Sequence, residues 1–427
     1  MKFLFQFLRG EPAPSERCKF GIFSLYLLSL LGLGCGLNSP IEIMGGLERI
    51  ICSPDTLISD YMGLGNPGAA FVNAGLLGFM VLFFFRRCRS PLNGDSIACL
   101  LTVVGLGFFG KNIFNIWPII LGVFLYAKKQ KAPFSQYVHK AFYGTALAPV
   151  VTEILFSSAS PPVLKIPLAL ILGVVIGFLL PPIADHTFKT HQGFILYNTG
   201  FTAGVMGVVI VSLLNAYGVA PIPQMVWTTQ EPIIFTTYLI FFFASMIVLG
   251  LILEPKAWVN FRRLLRYTGQ FPTDFVVLEG LEATLINMGL TGLMMTLYLL
   301  WVGADFNGPT IGGVLTVCGF SALGKHPGNT LPILAGIYGA SLTQSLDAKE
   351  PALILAALFG TNLAPIAGEY GVFWGMITGF IHSSVAPNVV AGHGGLNLYN
   401  NGFAAGVVAL IILPIIQTFQ SVKKKEL

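Results

Sequence analysis

The sequence predicts an all-α integral membrane protein built from two related halves with inverted topology. Three observations support this prediction: a high apolar content, apolar segments of membrane-spanning length, and an internal repeat. Of the 427 residues, 54% are hydrophobic and only 10% are charged, whereas soluble domains carry roughly 25% charged residues. This composition excludes a soluble fold, and we expect no nucleic-acid partner.

Apolar segments follow one another along nearly the whole chain, and a bilayer core about 30 Å thick requires about 20 apolar residues per helix. We count fourteen of them. They lie near 19–37, 67–85, 97–109, 113–127, 138–157, 163–181 and 194–214, and then near 232–253, 283–302, 309–323, 327–344, 351–367, 371–386 and 396–417. The predicted organisation is an N-terminal segment (1–18), a first repeat (19–215), an external linker (216–231), a second repeat (232–419) and a tail (420–427).

Lys and Arg are unevenly distributed, and cytoplasmic loops of membrane proteins carry an excess of both. Basic clusters lie at 86–89, 128–131, 262–266 and 423–425. If the N-terminus is cytoplasmic and every segment crosses the membrane, 20 of the 24 Lys and Arg residues face the cytoplasm. We therefore predict a multi-pass protein of the cell membrane, surrounded by lipid, with both termini cytoplasmic. The sequence is also compatible with a homo-oligomer.

Three blocks of sequence recur in the same order in both halves. They pair 101–122 with 315–336, 144–153 with 360–369, and 191–204 with 393–406. The first pair has ten identities in 22 positions and the third has nine in 14. Because each half holds seven apolar segments, an odd number, the second copy should enter the membrane from the opposite side, as in many transporters.

The third block carries the motif Tyr-Asn-x-Gly-Phe-x-Ala-Gly in both copies, at 197–204 and 399–406. In this motif and in its length, the chain resembles a family of uncharacterised bacterial multi-pass membrane proteins. The resemblance covers most of the chain but implies no function, so the functional hypotheses depend on the residues themselves.

Segments 97–109 and 113–127 are too short to span comfortably, and Gly110-Lys111-Asn112 joins them without a polar loop. This pattern favours a re-entrant hairpin with Lys111 at its tip, and Lys325 takes the same place in the second half. The fold would then have ten full spans and two hairpins. The alternative is fourteen simple crossings, with each Lys reaching a membrane interface.

Irregular backbone at membrane depth is tolerated only where it is buried in protein or lines a water-filled cavity. Two tips that meet near the midplane would therefore mark a solute site, and their Lys residues favour an anionic group. The predicted solute-binding residues are Lys111, Asn115, Lys325, Asn329, Tyr197, Asn198, Tyr399 and Asn400. Asn198 and Asn400, and with them His191 and His393, have a structural alternative, which is to satisfy backbone groups at a helix break. Asn73 and Asn287 are more typical of helix-joining residues.

Ionisable residues within apolar segments are usually functional. Glu153 and Glu369 occupy equivalent positions, each four residues after a Pro, and His191 and His393 begin the third repeated block. These four residues are the predicted ion-coupling groups. For the two Glu residues the alternatives are an interfacial position or a structural ion pair.

The favoured function is a secondary active transporter for a small polar or anionic solute, coupled to H⁺ or Na⁺. A passive channel or facilitator is the first alternative, and a membrane-embedded enzyme is the second. We predict that the protein is not an enzyme, because catalysis seldom needs two symmetric copies of its residues. We expect no cofactor or metal beyond the coupling ion.

Overall fold

The computed structural model describes residues 14–157, 161–219, 221, 225–229 and 232–425. It is 76% helical, and the strand pair in its described part joins β1 (Ile58–Ser59) to β2 (Met225–Val226) in parallel. The all-α prediction is therefore confirmed. Most of the predicted N-terminal segment 1–18, parts of the linker 216–231 and the end of the tail 420–427 lie outside the described residues.

The first half contains long helices interrupted by short ones. Its helices are α1 (Glu16–Leu37), α2 (Pro40–Ile51), α3 (Tyr61–Leu64), α4 (Pro67–Arg87), α5 (Gly94–Leu106), α6 (Trp117–Lys129), α7 (Val138–Gly144), α8 (Pro149–Thr152), α9 (Pro162–His191) and α10 (Asn198–Ala216). A 3₁₀ turn (Thr145–Leu147) separates α7 from α8, and a π-helical turn (Glu153–Ser157) follows α8.

The second half also contains long helices and short ones. Its helices are α11 (Pro232–Leu253), α12 (Ala257–Leu264), α13 (Phe275–Val302), α14 (Gly308–Phe320), α15 (Pro327–Ser341), α16 (Pro351–Gly360), α17 (Ala364–Tyr370), α18 (Val372–Asn388) and α19 (Asn400–Lys425). A 3₁₀ turn (Thr361–Leu363) joins α16 to α17.

Eight stretches of helix in the described ranges are long and apolar enough to cross a membrane. They are Glu16–Leu37, Pro67–Arg87, Val163–His191, Asn198–Ala216, Ile233–Leu253, Phe275–Val302, Pro351–Tyr370 and Asn400–Gln420. The chain is therefore a multi-pass membrane protein. By contrast, α5 and α14 have 13 residues each, and a helix of that length reaches only about 20 Å.

The short helices α5 and α14 begin with the same local device. Asn93 and Asn307 precede them, and each side-chain oxygen accepts a hydrogen bond from the backbone N–H three residues later. Such a cap satisfies an amide that has no partner within the helix. The two Asn residues are 214 positions apart, which is the spacing of the first repeated block.

The same two helices pack against each other in opposite directions. A Cβ on Gly94, the first residue of α5, would lie 2.3 Å from the carbonyl oxygen of Ala322, just beyond the end of α14. At the first residue of α14, a Cβ on Gly308 would lie 2.4 Å from the carbonyl oxygen of Phe108. The absence of side chains at these two positions permits the backbones to approach so closely.

Hydrogen bonds between the two halves occur in matching pairs. Asp274 accepts from the N–H of Gly94 at 2.9 Å, and its equivalent Asp60 accepts from the N–H of Gly308 at 3.0 Å. Two further pairs of equivalent backbone bonds also connect the halves. In one pair, the N–H of Leu57 donates to the carbonyl of Gly395 and that of Phe271 donates to Gly193. In the other, the N–H of Leu196 donates to Asn362 and that of Leu398 donates to Ala146. Each half therefore holds the other through equivalent backbone positions.

Candidate functional site

The two tip lysines lie between short helices and are fully buried. Lys111 follows α5 and Lys325 follows α14, and each side chain is 0% exposed. The amide of Asn73 donates to the backbone carbonyl of Lys111 at 3.0 Å, and the amide of Asn287 donates to that of Lys325 at 2.7 Å. Asn73 and Asn287 thus tie the tips to the neighbouring long helices α4 and α13.

Asn115 and Asn329 stabilise the tip turns from within. The amide of Asn115 donates to the carbonyl of Gly110 at 3.2 Å, and that of Asn329 donates to Gly324 at 2.9 Å. Their side-chain oxygens accept from the N–H three residues earlier, at 3.0 and 2.9 Å. Asn115 and Asn329, both predicted to bind solute, therefore have structural partners in their own tips.

The ammonium group of Lys325 has two hydrogen-bond partners. Its Nζ donates to the Tyr197 hydroxyl at 2.7 Å and to the Thr361 hydroxyl at 2.8 Å. The same Nζ lies 4.4 Å from the centroid of the Tyr197 ring and 5.4 Å from that of Phe320. Neutral hydroxyls and aromatic faces thus surround this buried cation.

Lys111 has the same place in the first half but different surroundings. Its Nζ has no hydrogen-bond partner within the part of the chain that the structure describes. The thiol of Cys99 is a neighbour of this group. The counterparts of the Lys325 partners are Tyr399 and Thr145. The polar neighbour of the Tyr399 hydroxyl is the Thr102 side chain, and Thr145 donates to the carbonyl of Phe142 at 2.6 Å.

A cavity of about 150 Å³ extends inward from the half-buried residues Asp95 and His139. Its inner wall includes the buried rings of Tyr197 and Tyr399, whose centroids lie 5.6 Å apart. Because the Tyr197 hydroxyl also binds Lys325, the cavity ends against a side chain that contacts one tip lysine. Tyr143 completes the polar lining between the mouth and this wall.

The cavity lies at one end of the helical bundle, which we call the Asp274 end because Asp274 binds the start of α5 there. At the opposite end, called the Asp60 end, residues of the two halves contact each other. Asp60 accepts from both the backbone and the hydroxyl of Thr228, and β2 pairs with β1 immediately beside this contact. Asn307 donates to the carbonyl of Thr228 at 3.0 Å.

His191 and His393, predicted as ion-coupling groups, lie at helix breaks with structural contacts. Nε2 of His191 is 2.9 Å from Oδ1 of Asn198, and Nε2 of His393 is 2.8 Å from Oδ1 of Asn400. Each Asn amide also donates to a backbone carbonyl, at 3.0 and 2.8 Å. These four residues join helix ends within each half and do not contact either tip lysine through any of these bonds.

A buried carboxylate that sequence reasoning missed lies beside the first tip. Asp55 is 0% exposed, and its carboxylate accepts from the Tyr61 hydroxyl at 2.8 Å, the Asn115 amide at 2.9 Å and the Thr152 hydroxyl at 3.0 Å. All three of these donors are neutral. Glu153, only 4% exposed, follows Thr152 and interacts electrostatically with Asp55.

The environment of Asp55 favours its protonated form. Burial raises the pKa of Asp55 from 3.8 to about 7, and the neighbouring Glu153 carboxylate adds to the rise. Hydrogen bonds from Tyr61, Thr152 and Asn115 lower the same pKa. Two buried carboxylates in contact repel each other when both are charged, so this pair is suited to hold a proton or a monovalent cation.

Glu369, the repeat equivalent of Glu153, lies in a different environment. It is exposed near the end of α17, where the segment before α13 packs closely. A Cβ on Gly368 would lie 2.0 Å from the carbonyl oxygen of Thr268. The structure therefore separates the two predicted ion-coupling carboxylates and brings only Glu153 into a buried polar cluster.

One sequence signal would have extended the list of functional residues. The 214-residue offset of the first block also relates Asp60 to Asp274 and Asn93 to Asn307, and all four contact the starts of α5 and α14. Asp55 has no such signal, because the same offset leads to Gly269. Its role emerges only from the contacts that three distant parts of the chain make around it.

The fold and the buried charges define an α-helical multi-pass membrane protein with a polar interior. The chain belongs to a family described as protein of unknown function (DUF1576), whose model matches residues 39–216 and 253–418. The predicted resemblance to an uncharacterised family is thus confirmed. Comparisons with curated proteins and with solved structures found no match.

Proposed function

We propose that the protein is a secondary active transporter that moves a small polar or anionic solute across the cell membrane. The observation that carries this proposal is the pair of fully buried tip lysines, one of which contacts the inner wall of a cavity. Buried ionisable residues between interrupted helices are typical of solute sites in transporters. An anion between the tips would compensate their positive charge.

Alternating access requires two halves that can exchange roles. The antiparallel packing of α5 against α14 and the matching bonds of Asp60 and Asp274 support an inverted repeat. The 20 to 4 distribution of Lys and Arg supports cytoplasmic termini. With that orientation, the Asp274 end faces the cytoplasm, so the cavity opens inward and the Asp60 end faces outward.

The coupling ion would bind at Asp55 and Glu153. These carboxylates lie beside the first tip, because Asn115 binds both Asp55 and the carbonyl of Gly110. A proton or sodium ion there would neutralise buried negative charge and at the same time affect the position of the tip. This replaces the symmetric pair of Glu153 and Glu369 by a single site in the first half.

Reconstituted protein tests the proposal. Proteoliposomes loaded with a pH indicator would be given inward gradients of chloride, phosphate, acetate, lactate or succinate, with and without a sodium gradient. We expect saturable, gradient-dependent uptake of at least one anion, and losses of at least about tenfold in Lys325→Met and Asp55→Asn. Lys349→Met and Asp347→Asn, at exposed positions, are matched controls.

Each outcome separates the proposal from its alternative. Uptake that follows the solute gradient alone, without dependence on proton or sodium gradients, would identify a facilitator. Uptake that persists at full rate in both Lys325→Met and Lys111→Met would contradict a solute site at the tips.

A further inference from the structure

The two tip lysines occupy equivalent positions, yet only one of them has partners. Lys325 donates to two hydroxyls at 2.7 and 2.8 Å, whereas no bond to the ammonium group of Lys111 is found across the described ranges. Both side chains are 0% exposed, so bulk water does not replace the missing partners of Lys111.

An unpaired ammonium group in a protein interior costs several kcal/mol, because it loses its hydration without gaining compensation. Lys has three donors and no acceptor, so only an acceptor can satisfy it. An anion supplies both an acceptor and the opposite charge. The environment of Lys111 therefore points to a negatively charged ligand.

One face of α5 carries polar side chains between the cavity mouth and this lysine, and two of them, Cys99 and Thr102, are fully buried. Asp95, Cys99 and Thr102 lie four and three residues apart, a spacing that places them on the same face of a helix. Asp95 lines the cavity mouth, and its carboxylate is 3.6 Å from Nδ1 of His139. Cys99 adjoins Lys111.

The equivalent face of α14 carries fewer polar side chains. The positions equivalent to Asp95, Cys99 and Thr102 are Pro309, Gly313 and Thr316. Thr102 and Thr316 each donate to a carbonyl of their own helix, at 2.6 and 2.8 Å, so the two short helices differ at the first two positions.

We infer that Lys111 is the anion-binding group of this conformation. Lys325 instead donates to Tyr197 and Thr361 and does not bind the anion. The role of this anion in transport depends on the proposed function, whereas the binding of an anion at Lys111 does not. The ligand is a small anion, because Lys111 is fully buried and the nearby cavity, which Lys111 does not line, has a volume of only about 150 Å³, about what benzene requires. Carboxylates and inorganic oxyanions share the required chemistry.

Ligand-induced thermal stabilisation of the purified full-length protein tests this inference. Unfolding in detergent would be followed at constant ionic strength in chloride, phosphate, sulfate, acetate or lactate, because a ligand that binds only the folded state raises its Tm. We expect at least one of these anions to raise the Tm in a saturable manner. Comparing acetate and lactate with phosphate and sulfate distinguishes carboxylates from inorganic oxyanions.

Variants identify the residue responsible. Lys111→Met and Lys111→Gln should abolish the anion-dependent rise in Tm, and Lys111→Arg should retain part of it. Lys325→Met should still show the anion-dependent rise in Tm, measured relative to the Tm of this variant without anion. The inference is overturned if no anion stabilises the wild type, if Lys111→Met responds like the wild type, or if Lys325→Met alone loses the response. Anion binding of the expected pattern without gradient-driven uptake would instead contradict the transporter proposal and leave the anion site standing.

Discussion

The surroundings of Lys111 and Lys325 differ although the two tips have the same backbone contacts. Asn73 and Asn115 position the first tip as Asn287 and Asn329 position the second. Beyond these bonds, Lys325 donates to two hydroxyl groups, while the first tip adjoins a carboxylate cluster at Asp55. Duplication has preserved the geometry of the tips, and substitution around them has given each a different chemistry.

The carboxylate cluster has no counterpart in the second half. Asp55, Tyr61 and Thr152 correspond to Gly269, Phe275 and Gly368. Where the first half buries polar side chains, the second brings backbones together: a Cβ on Gly269 would lie 2.0 Å from the carbonyl oxygen of Gly324. The proposed ion site is therefore confined to the first half.

The two ends of the bundle differ in the same way. Asp95, His139 and Tyr143 line the cavity, and their equivalents at the Asp60 end are Pro309, Leu355 and Phe359. These three residues are apolar and buried, so the side chains at the equivalent positions differ in polarity. The state of the molecule is thus asymmetric even though its backbone contacts are paired.

The largest expected effect concerns Asp55, which distinguishes the halves most clearly. Burial raises its pKa from 3.8 to about 7, so the folded protein binds a proton that the unfolded chain releases. Stability should therefore be greatest below about pH 4 and fall as the pH rises to about 7, by up to about 4 kcal/mol. Asp55→Asn should remove this decline, as measured by Tm between pH 4 and 8.

The control for this titration is Asp347→Asn, since Asp347 is exposed. It should show the same decline as the wild type, because other groups that titrate are common to both proteins. An Asp55→Asn profile that runs parallel to the wild type over the whole range would show that the first half contains no titrating carboxylate of this kind.

The features that repeat were predictable from sequence, and the features that differ were not. The short helices and their tip lysines recur at a fixed offset, and helix length depends on local sequence. The contacts of Lys325 with Tyr197 and Thr361 join residues 128 and 36 positions apart. Such contacts depend on how the halves pack, and no local pattern records them.

Glu369 illustrates the limit of the repeat. Its alignment with Glu153 is sound, but burial depends on neighbours outside the repeated block. The Thr268 backbone packs against Gly368, whereas Asp55 accepts a bond from Thr152, the residue equivalent to Gly368. Equivalent positions in the two halves thus have different surroundings, because the segments that pack against them differ in sequence.

A second prediction compares the two lysines directly. Lys325→Met should be less stable than Lys111→Met by about 2 kcal/mol, because only Lys325 loses hydrogen bonds to hydroxyl groups. Both variants replace a fully buried ammonium group by Met, so the cost of burying that charge cancels in the difference. Equilibrium unfolding of both proteins in the same detergent, without added phosphate or carboxylate anions, measures it.

Equal stabilities would mean that Lys111 has bonds of the same strength as Lys325, and the asymmetry of the tips would then be absent in solution. Lys349→Met, at an exposed position, shows how much any loss of a positive charge changes unfolding. We expect its stability to lie within about 0.5 kcal/mol of the wild type.

The smallest expected effect is the coupling energy between each tip lysine and the tyrosine at the equivalent position. In a double-mutant cycle, Lys325→Met and Tyr197→Phe should show a coupling energy of about 1 kcal/mol, since the Lys325 Nζ donates to the Tyr197 hydroxyl at 2.7 Å. The equivalent cycle, Lys111→Met with Tyr399→Phe, should show coupling near zero. Each cycle subtracts the separate effects of losing the ammonium and losing the hydroxyl, so only their mutual contact remains. Coupling in the second cycle as large as in the first would show that Lys111 and Tyr399 are also bonded, and the asymmetry that distinguishes Lys111 from Lys325 would then be absent.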